Sequence, residues 1–540
     1  MRNIRIIPRL DVKGPNLVKG IHLEGLRVLG SPEYFAKRYY EQGADELIYM
    51  DIVATLYGRN NLKEIVERTA KDVFIPITVG GGIRSIEDIR ILLRAGADKI
   101  AINTAAIQNP DLIREGAETF GSQCIVLYIE AKEKLEGNYE AFTDNAREET
   151  GVDVFEWAYR AYQLGAGEIL VTSIDRDGTG EGYDVELISK ISNTVPIPVV
   201  ASGGAGKLDD IIKIIESTNV SAVAAASLFH YSQIDKGLAR CKYEEGNTEF
   251  LKTYAQIDNY RPSRIKPISI FDLKSHMKKA GIIDTRVAEL HSCAGLKEEE
   301  SKNIFIRSFK NRPSVAVIDY DCGNLFNITS ALKNIDADFQ VTDNAKIVAA
   351  SDKLILPGVG SFESGINNLE RRGLITPIKE HAKKGKPIFG ICLGMQLLMT
   401  EGEEYGSYKG LDLIKGRVTR IPIDKEKLLT FKIPHIGWNK IKLPQQKAEV
   451  SKKAEKGLWH NSILKNVLPG SLMYFVHSYI VISDSPEWVL AETEYGGRSF
   501  CSAIQKDNVY GCQFHPERSR EVGLDIYRQF VFVGIGGKHE

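Results

Sequence analysis

Residues 76–106 read "PITVGGGIRSIEDIRILLRAGADKIAINTAA" and residues 198–228 read "PVVASGGAGKLDDIIKIIESTNVSAVAAASL". Each is a short apolar run, a glycine turn, an amphipathic stretch and a second apolar run. The shared order and spacing mark an internal repeat. Similar β-branched runs occur on either side: "IRIIPRLDV", "ELIYMDIV", "FIPITVG", "KIAINT", "CIVLYIEA", "EILVTSI", "IPVVASG" and "SAVAAAS". Eight such runs, each followed by a helix-like segment without a break, predict a closed (β/α)8 barrel of two similar halves over residues 1–286. An open doubly wound sheet is the alternative that this unbroken count disfavours.

A chain of 540 residues exceeds one ordinary core, and an apolar fraction of 43% suffices for two. Lys plus Arg (70) nearly balance Asp plus Glu (71), which gives no electrostatic reason to expect nucleic acid or an acidic membrane as the main partner, and neither is expected. "MRNIRIIPRLDV" enters a strand with no apolar signal region, and no run of 18 uncharged apolar residues occurs, so a cytoplasmic protein is expected. Seven cysteines without a CxxC pair argue against a disulfide framework or structural zinc, and no metal or other cofactor is expected. After "SLFHYSQID" the pattern lapses, reading as an insertion at about 235–265 before a closing helix, "SIFDLKSHMKKAGI". Residues 287–313 read as a linker, and "SVAVIDYDCGN" opens a second α/β domain spanning 314–540.

In that domain "KPIFGICLGMQLLMT" (386–400) predicts a strand, a Gly390-x-Cys392-x-Gly394 turn and a helix. Small neighbours let the chain reverse sharply, exposing the thiol near a positive helix end. A buried structural cysteine is the commoner meaning of a lone Cys. It loses ground to "GCQFHPERS", where His515 and Glu517 are expected on one face of a strand end, as base and orienter.

These residues resemble the class I glutamine amidotransferases, and "PGVGSF", "IPHIGWN" and "FVHSY" narrow the likeness to the glutaminase of the imidazole glycerol phosphate synthase family. The resemblance implies that Cys392 attacks the glutamine side-chain amide while His515 moves the proton and Glu517 orients His515. A glutamyl thioester forms, ammonia leaves and water releases glutamate. It also implies oxyanion donors near Val359 and Leu393, and substrate contacts from Gln396 and Ser478. Cys322 is taken as structural.

The barrel resembles the cyclase of the same family in "VKGIHLEGLR", "TVGGGIRS", "AINTAA", "TSIDRDGTGEGYD" and "ASGGAGK". Two glycine turns at strand carboxyl ends, Gly81 and Gly82 with Gly203 and Gly204, suit a phosphate at each end of an elongated ligand, backed by Asn103, Thr104 and Ser227. With Asp177 these are the expected contacts of a bisphosphorylated aminoimidazole carboxamide ribonucleotide. Lys19 is expected as a mobile closing lysine, its alternative being a solvated surface lysine. On the opposite barrel face, Arg5, Glu46, Lys99 and Glu168 occupy the positions where the family builds a salt-bridge ring that gates ammonia. Asp98, Arg518 and Trp438 are assigned to an intramolecular docking interface, and fusion would raise the effective concentration of the two partners.

Two positions depart from the family. Asp11 and an aspartate at position 130 do its acid–base work, and here the second acid is Glu130. Position 9, usually small, is Arg9. Period-two alternation puts Arg5, Arg9 and Asp11 on one side of strand one, so the guanidinium is expected to pair with Asp11 or Glu130 and to lower their pKa values. A second resemblance, on "RLDVKGPNLVKGIHLEGLRVLG", is to a cyclase paralogue that passes ammonia to a separate sugar amidotransferase for acetamidino modification of surface polysaccharide. A third alternative is a non-catalytic barrel whose occupancy switches on the glutaminase.

Overall fold

The computed structural model describes residues 3–54, 62–135, 137–234, 263–284, 312–424, 427, 430–444, 459 and 461–532. The expected insertion falls outside the described residues up to 262, and the expected linker up to 311. The chain divides into two compact units, Met1–Val287 with Asp424–Gly437, and Ala288–Ile423 with Trp438–Glu540.

In the first unit eight parallel strands close a barrel: β1 (Arg5–Lys13), β2 (Leu47–Asp51), β3 (Ile77–Gly80), β4 (Lys99–Ile102), β5 (Ile125–Leu135), β6 (Glu168–Ser173), β7 (Val199–Ser202) and β8 (Ala222–Ala225). β8 returns to β1 with Arg5 opposite Ala222 and Pro8 opposite Ala225. Alternate side chains point inward, so Ile7, Ile48, Ala101, Leu170, Val200 and Ala222 share one buried interior cluster.

The repeat extends into its helices. Ile86–Arg94 buries Ile89, Leu92 and Leu93, and Leu208–Ser217 buries Ile211, Ile214 and Ile215, the same spacing on both. Each of these side chains contributes about 2 kcal/mol of apolar burial. Asp88 accepts from the Arg84 amide at 2.9 Å, and Asp210 from the Gly206 and Lys207 amides at 2.9 and 3.0 Å. Both halves thus satisfy the otherwise unpaired donors of a helix start with an aspartate in its first turn.

Two strands do not pass straight into helices as the sequence reading had it. After β1 the segments Asn16–Ile21 and Glu24–Gly30 form an antiparallel hairpin, and after β5 Asn138–Thr143 pairs with Glu148–Asp153. The first hairpin turns on His22 and Leu23 at φ 52° and 62°, a left-handed pair costing roughly 1–2 kcal/mol per residue without glycine. Bonds to the loop after β6 offset that cost: the His22 amide donates to Asp177 O and its Nδ1 meets Ile174 O, both at 2.9 Å.

In the second unit parallel strands Phe339–Thr342, Val315–Ile318, Lys353–Leu356, Ile388–Ile391 and Val509–Cys512 lie side by side in that order. The sheet continues through antiparallel Arg498–Lys506, Tyr479–Ser483 and Gly416–Arg420. Among the described residues no helix is long and apolar enough to cross a membrane.

Candidate active sites

In the second unit Cys392 stands between the strand Ile388–Ile391 and the helix Leu393–Leu397 at φ 53° and ψ −107°. Its flanking glycines follow from contact distances. A Cβ on Gly394 would lie 1.9 Å from Leu356 O, and one on Gly390 would lie 2.7 Å from the Gly394 carbonyl. Only two Cβ-free residues let the strand turn this closely into the helix, and the nucleophile takes the strained position between them. The Cys392 amide donates to Cys512 O at 2.7 Å, tying the elbow to the neighbouring strand.

His515 lies three residues past that strand, with Nδ1 2.7 Å from Glu517 Oε1. Glu517 sits in a 3-10 turn, Pro516–Arg518, rather than on a strand end as the alternation implied. Pro516 has no amide for a sheet ladder, so the chain bends there and the turn brings the carboxylate back to the imidazole. Tyr527 donates to Glu517 Oε2 at 3.3 Å, and Ser519 Oγ donates to His515 O at 2.6 Å. Burial lowers the His515 pKa, but the charges of Cys392 and Glu517 more than offset this and hold it well above the usual value. His515 Nε2 has no hydrogen-bond partner among the described residues.

Gln396 is buried, with Nε2 donating to Tyr479 O and Gln513 Oε1, both at 3.1 Å. Gln513 in turn points Nε2 at Cys392 Sγ, 3.5 Å away. Ser478, directly before the strand Tyr479–Ser483, is buried, and its carbonyl accepts from Ile421 N. Val359 follows Gly358, whose Cβ position is 2.6 Å from the Leu393 Cβ, so the two expected oxyanion residues belong to segments in close contact. Cys322 is buried and accepts from Asn368 Nδ2 at 3.4 Å.

The barrel carries its chemistry at both ends. At the amino end Arg5 Nη1 meets Glu46 Oε2 at 2.7 Å, Lys99 Nζ meets Glu46 Oε1 at 2.6 Å and Glu168 Oε2 at 2.5 Å, and Arg5 Nη2 bonds Glu168 Oε1. All four expected ring residues therefore form one closed, buried circuit. Burial raises the Glu168 pKa, but Arg5 and Lys99 hold it below the usual carboxylate range.

At the carboxyl end Asp11 and Glu130 are buried on β1 and β5. Lys19 is buried rather than solvated: Nζ lies 2.8 Å from Asp177 Oδ2 and 3.8 Å from Asp11 Oδ2. Arg9 pairs with Asp11, Nε to Oδ1 at 2.7 Å, as one branch of the sequence reading held. For Glu130 that reading is corrected. Burial pushes its carboxyl up to about 7, outweighing the Ala146 amide donated at 2.9 Å and the Arg9 charge.

Gly81 and Gly82 adopt φ 103° and 71°, Gly203 and Gly204 90° and 105°. A Cβ on Gly81 would strike Asp51 O at 2.2 Å. Asn103 and Thr104 line a pocket with Gly81, Gly82 and Glu130. Asn103 donates to Phe142 O at 3.1 Å, and Thr104 Oγ1 accepts the Asp144 amide at 3.3 Å. Ser227 is buried at the start of the helix Ser227–Ile234. Asp98 accepts from the Ile77 amide at 2.9 Å, Arg518 is buried in the 3-10 turn, and Trp438 meets Tyr474 edge-on at 5.9 Å. Among the described residues no group of His, Cys, Asp or Glu is placed to hold a metal ion.

Two buried polar groups escaped the sequence reading. Tyr128, two positions before Glu130, shares its inward face, and period-two alternation in "LYIE" carried that signal. Glu404 lies in "EGEEYG", which reads as a solvated run, yet it is buried, accepts from the Phe362 amide at 2.8 Å and is pushed by burial to about 7.

The histidine biosynthesis protein family matches residues 5–235 and the class-I glutamine amidotransferase family matches residues 316–533. The imidazole glycerol phosphate synthase subunit HisF of Legionella pneumophila is 64% identical over 210 residues, 39% of this chain and 99% of the relative. HisF of Bacillus cereus strain G9842 is 51% identical over 245 residues, 45% of this chain and 97% of the relative. With the closed barrel and the Cys392 elbow, these matches establish that the chain belongs to the imidazole glycerol phosphate synthase family, as a HisF-like cyclase barrel fused to a class I glutamine amidotransferase domain.

Proposed function

We propose that this chain hydrolyses glutamine at Cys392, His515 and Glu517 and delivers the ammonia through the barrel to a phosphate-bearing acceptor. The observation that carries the reading is the 2.7 Å His515–Glu517 pair, with a free Nε2, beside a thiol on a strained elbow. Nε2 takes the thiol proton, Sγ attacks the amide carbon, and the same proton passes to the departing ammonia. Backbone amides at Val359 and Leu393 hold the oxyanion, while Gln396 and Ser478 position the glutamine. Asp98, Arg518 and Trp438 belong to the docking surface, and the Arg5–Glu46–Lys99–Glu168 ring admits ammonia to the barrel.

The acceptor in this reading is the ribulosyl form of the bisphosphorylated aminoimidazole carboxamide ribonucleotide. Its phosphates rest at Gly81–Gly82 with Asn103 and Thr104, and at Gly203–Gly204 with Ser227; Lys19 and Asp177 close over it. Asp11 and Glu130 move the protons, giving imidazole glycerol phosphate and the aminoimidazole by-product of histidine biosynthesis in the cytoplasm. The Arg9–Asp11 pair favours a second reading, in which ammonia leaves for a separate sugar amidotransferase, because it occupies one of the two acids.

The test supplies purified protein with the ribulosyl substrate, once with glutamine and once with ammonium salt. Imidazole glycerol phosphate in both reactions supports the first reading. Glutamate release that Cys392→Ser abolishes, without the imidazole product from either nitrogen source, supports the second. Glutamate release that survives Cys392→Ser overturns the triad.

A further inference from the structure

One side chain ties together four strands of the barrel interior. From β1, Arg9 sends Nε to Asp11 Oδ1 at 2.7 Å, Nη1 to Thr172 Oγ1 on β6 at 2.7 Å and to Ser202 Oγ on β7 at 3.4 Å, and Nη2 to Tyr128 OH on β5 at 3.1 Å. The guanidinium also lies over the Tyr128 ring, 5.4 Å from its centroid. Arg9 is 2% exposed. A guanidinium is rigid and planar with five N–H donors, and partners on separate strands fix its plane as well as its position.

Alternation along β1 orders the interior by level. Arg5 stands in the charged ring, Ile7 in the apolar layer with Leu170 and Val200, Arg9 above them, and Asp11 at the carboxyl end. Anything moving from the ring toward Asp11 and Glu130 must pass the level of Arg9. The ring cannot substitute for it, since its own charges are consumed in the Arg5–Glu46–Lys99–Glu168 circuit.

We propose that Arg9 is a plug at mid-barrel that closes the interior between the charged ring and the carboxyl-end pocket and holds Asp11 while it does so. Ammonia crosses only when the guanidinium leaves Asp11, so the same movement opens the passage and frees the acid. The inference rests on the reading that ammonia travels inside the barrel. The closure itself is a property of the folded unit that is measurable without any turnover.

The experiment places a reporter thiol below the plug. Leu170→Cys is made in the full-length chain, alone and together with Arg9→Ala, and its modification by methyl methanethiosulfonate is followed by peptide mass spectrometry, which separates position 170 from the native cysteines. At least a tenfold faster reaction with Arg9→Ala is expected. Equal rates, fast or slow, overturn the plug. Because Arg9→Ala leaves the Asp11 charge buried, the comparison is repeated with Arg9→Ala plus Asp11→Asn, which removes both charges and still empties the plug position; the same acceleration is expected and equal rates again overturn the proposal. Glutamate release by Cys392→Ser is measured in parallel. Its persistence would overturn the glutaminase reading and leave the labelling result standing on its own.

Discussion

The Lys19 ammonium lies 2.8 Å from the Asp177 carboxylate, so the hairpin after β1 is held by an ion pair to the loop after β6. Both partners are almost completely buried, and the hairpin tip bonds the same loop through His22. The pair is the charged part of a latch whose neutral part is backbone.

Removing one charge tests that latch. Asp177→Asn keeps an acceptor but leaves Lys19 only its longer 3.8 Å contact with Asp11, and breaking a buried ion pair by removing one partner costs up to about 3–5 kcal/mol. Amide hydrogen exchange within 17–30 is expected to accelerate by at least about tenfold while the strands β4 to β8 keep their protection. Unchanged exchange in the hairpin would mean that the ion pair adds nothing to closure.

Glu517→Gln should lower glutaminase kcat by about 10²–10⁴-fold, the range seen when the orienting acid of such a triad is lost. Glu517 also helps to hold the His515 pKa up, so its loss lets that pKa fall. The inflection assigned to His515 in the pH profile of kcat/KM should move to lower pH in the variant. A profile scaled down with no movement would argue that Glu517 supports the fold rather than the imidazole.

Glu130 makes a stability prediction with a defined sign. Its carboxyl titrates at about 7 in the folded chain against an ordinary glutamate value of 4.5, so between these pH values the folded state holds a proton that the unfolded state has lost. Stability from this group is complete below about 4.5 and is lost as pH rises through about 7. Glu130→Gln, which cannot ionise, should be roughly neutral at the acid end and stabilising by about 3 kcal/mol at pH ~8, at about 1.36 kcal/mol per pKa unit. Urea denaturation at several pH values measures the trend, and a pH-independent difference would contradict it.

The elbow glycine predicts a contrast between two similar substitutions. Gly394→Ala drives a Cβ to 1.9 Å from Leu356 O, backbone against backbone, whereas a Cβ on Gly373, at φ 65°, meets nothing within 4 Å. Gly373→Ala should cost about 1–2 kcal/mol, its left-handed strain alone. Gly394→Ala should cost several times as much and remove glutaminase activity. Comparable thermal melts would show that the elbow relaxes more easily than its packing implies.

Lys99→Met should destabilise the barrel by about 3–5 kcal/mol, because Glu46 and Glu168 would then share Arg5 alone. Adding Glu46→Gln should recover part of the loss, and a double-mutant cycle reads the coupling. Strict additivity would contradict a single circuit.

The eight barrel strands and the helices of the repeat were legible because their signals are local: β-branched runs, glycine turns, and apolar positions three and four apart, as in Ile89, Leu92 and Leu93. Glu517 was legible as the orienter but not in its backbone, because Pro516 turned an apparent strand into a 3-10 bend. Family positions gave the Arg5–Glu46–Lys99–Glu168 ring. The four-strand grip of Arg9 was only half visible: alternation showed that it shares a side with Asp11, while Thr172 and Ser202 lie far along the chain and only barrel closure brings them near. Glu130 was misjudged in sign for a similar reason. Its nearest charge was readable, but the depth of its burial belongs to the closed barrel and the Asn138–Asp153 hairpin beside it.

The charged ring has two cations and two anions, so its net charge is zero. An ammonium ion finds no unpaired carboxylate in that circuit to replace its hydration shell, and at the next level Asp11 is already paired with Arg9. On the reading that ammonia travels inside the barrel, the two levels in series would favour the neutral base, which loses little by entering, over its conjugate acid, which loses a great deal. Nitrogen delivered on that reading would arrive as the free base, already a nucleophile.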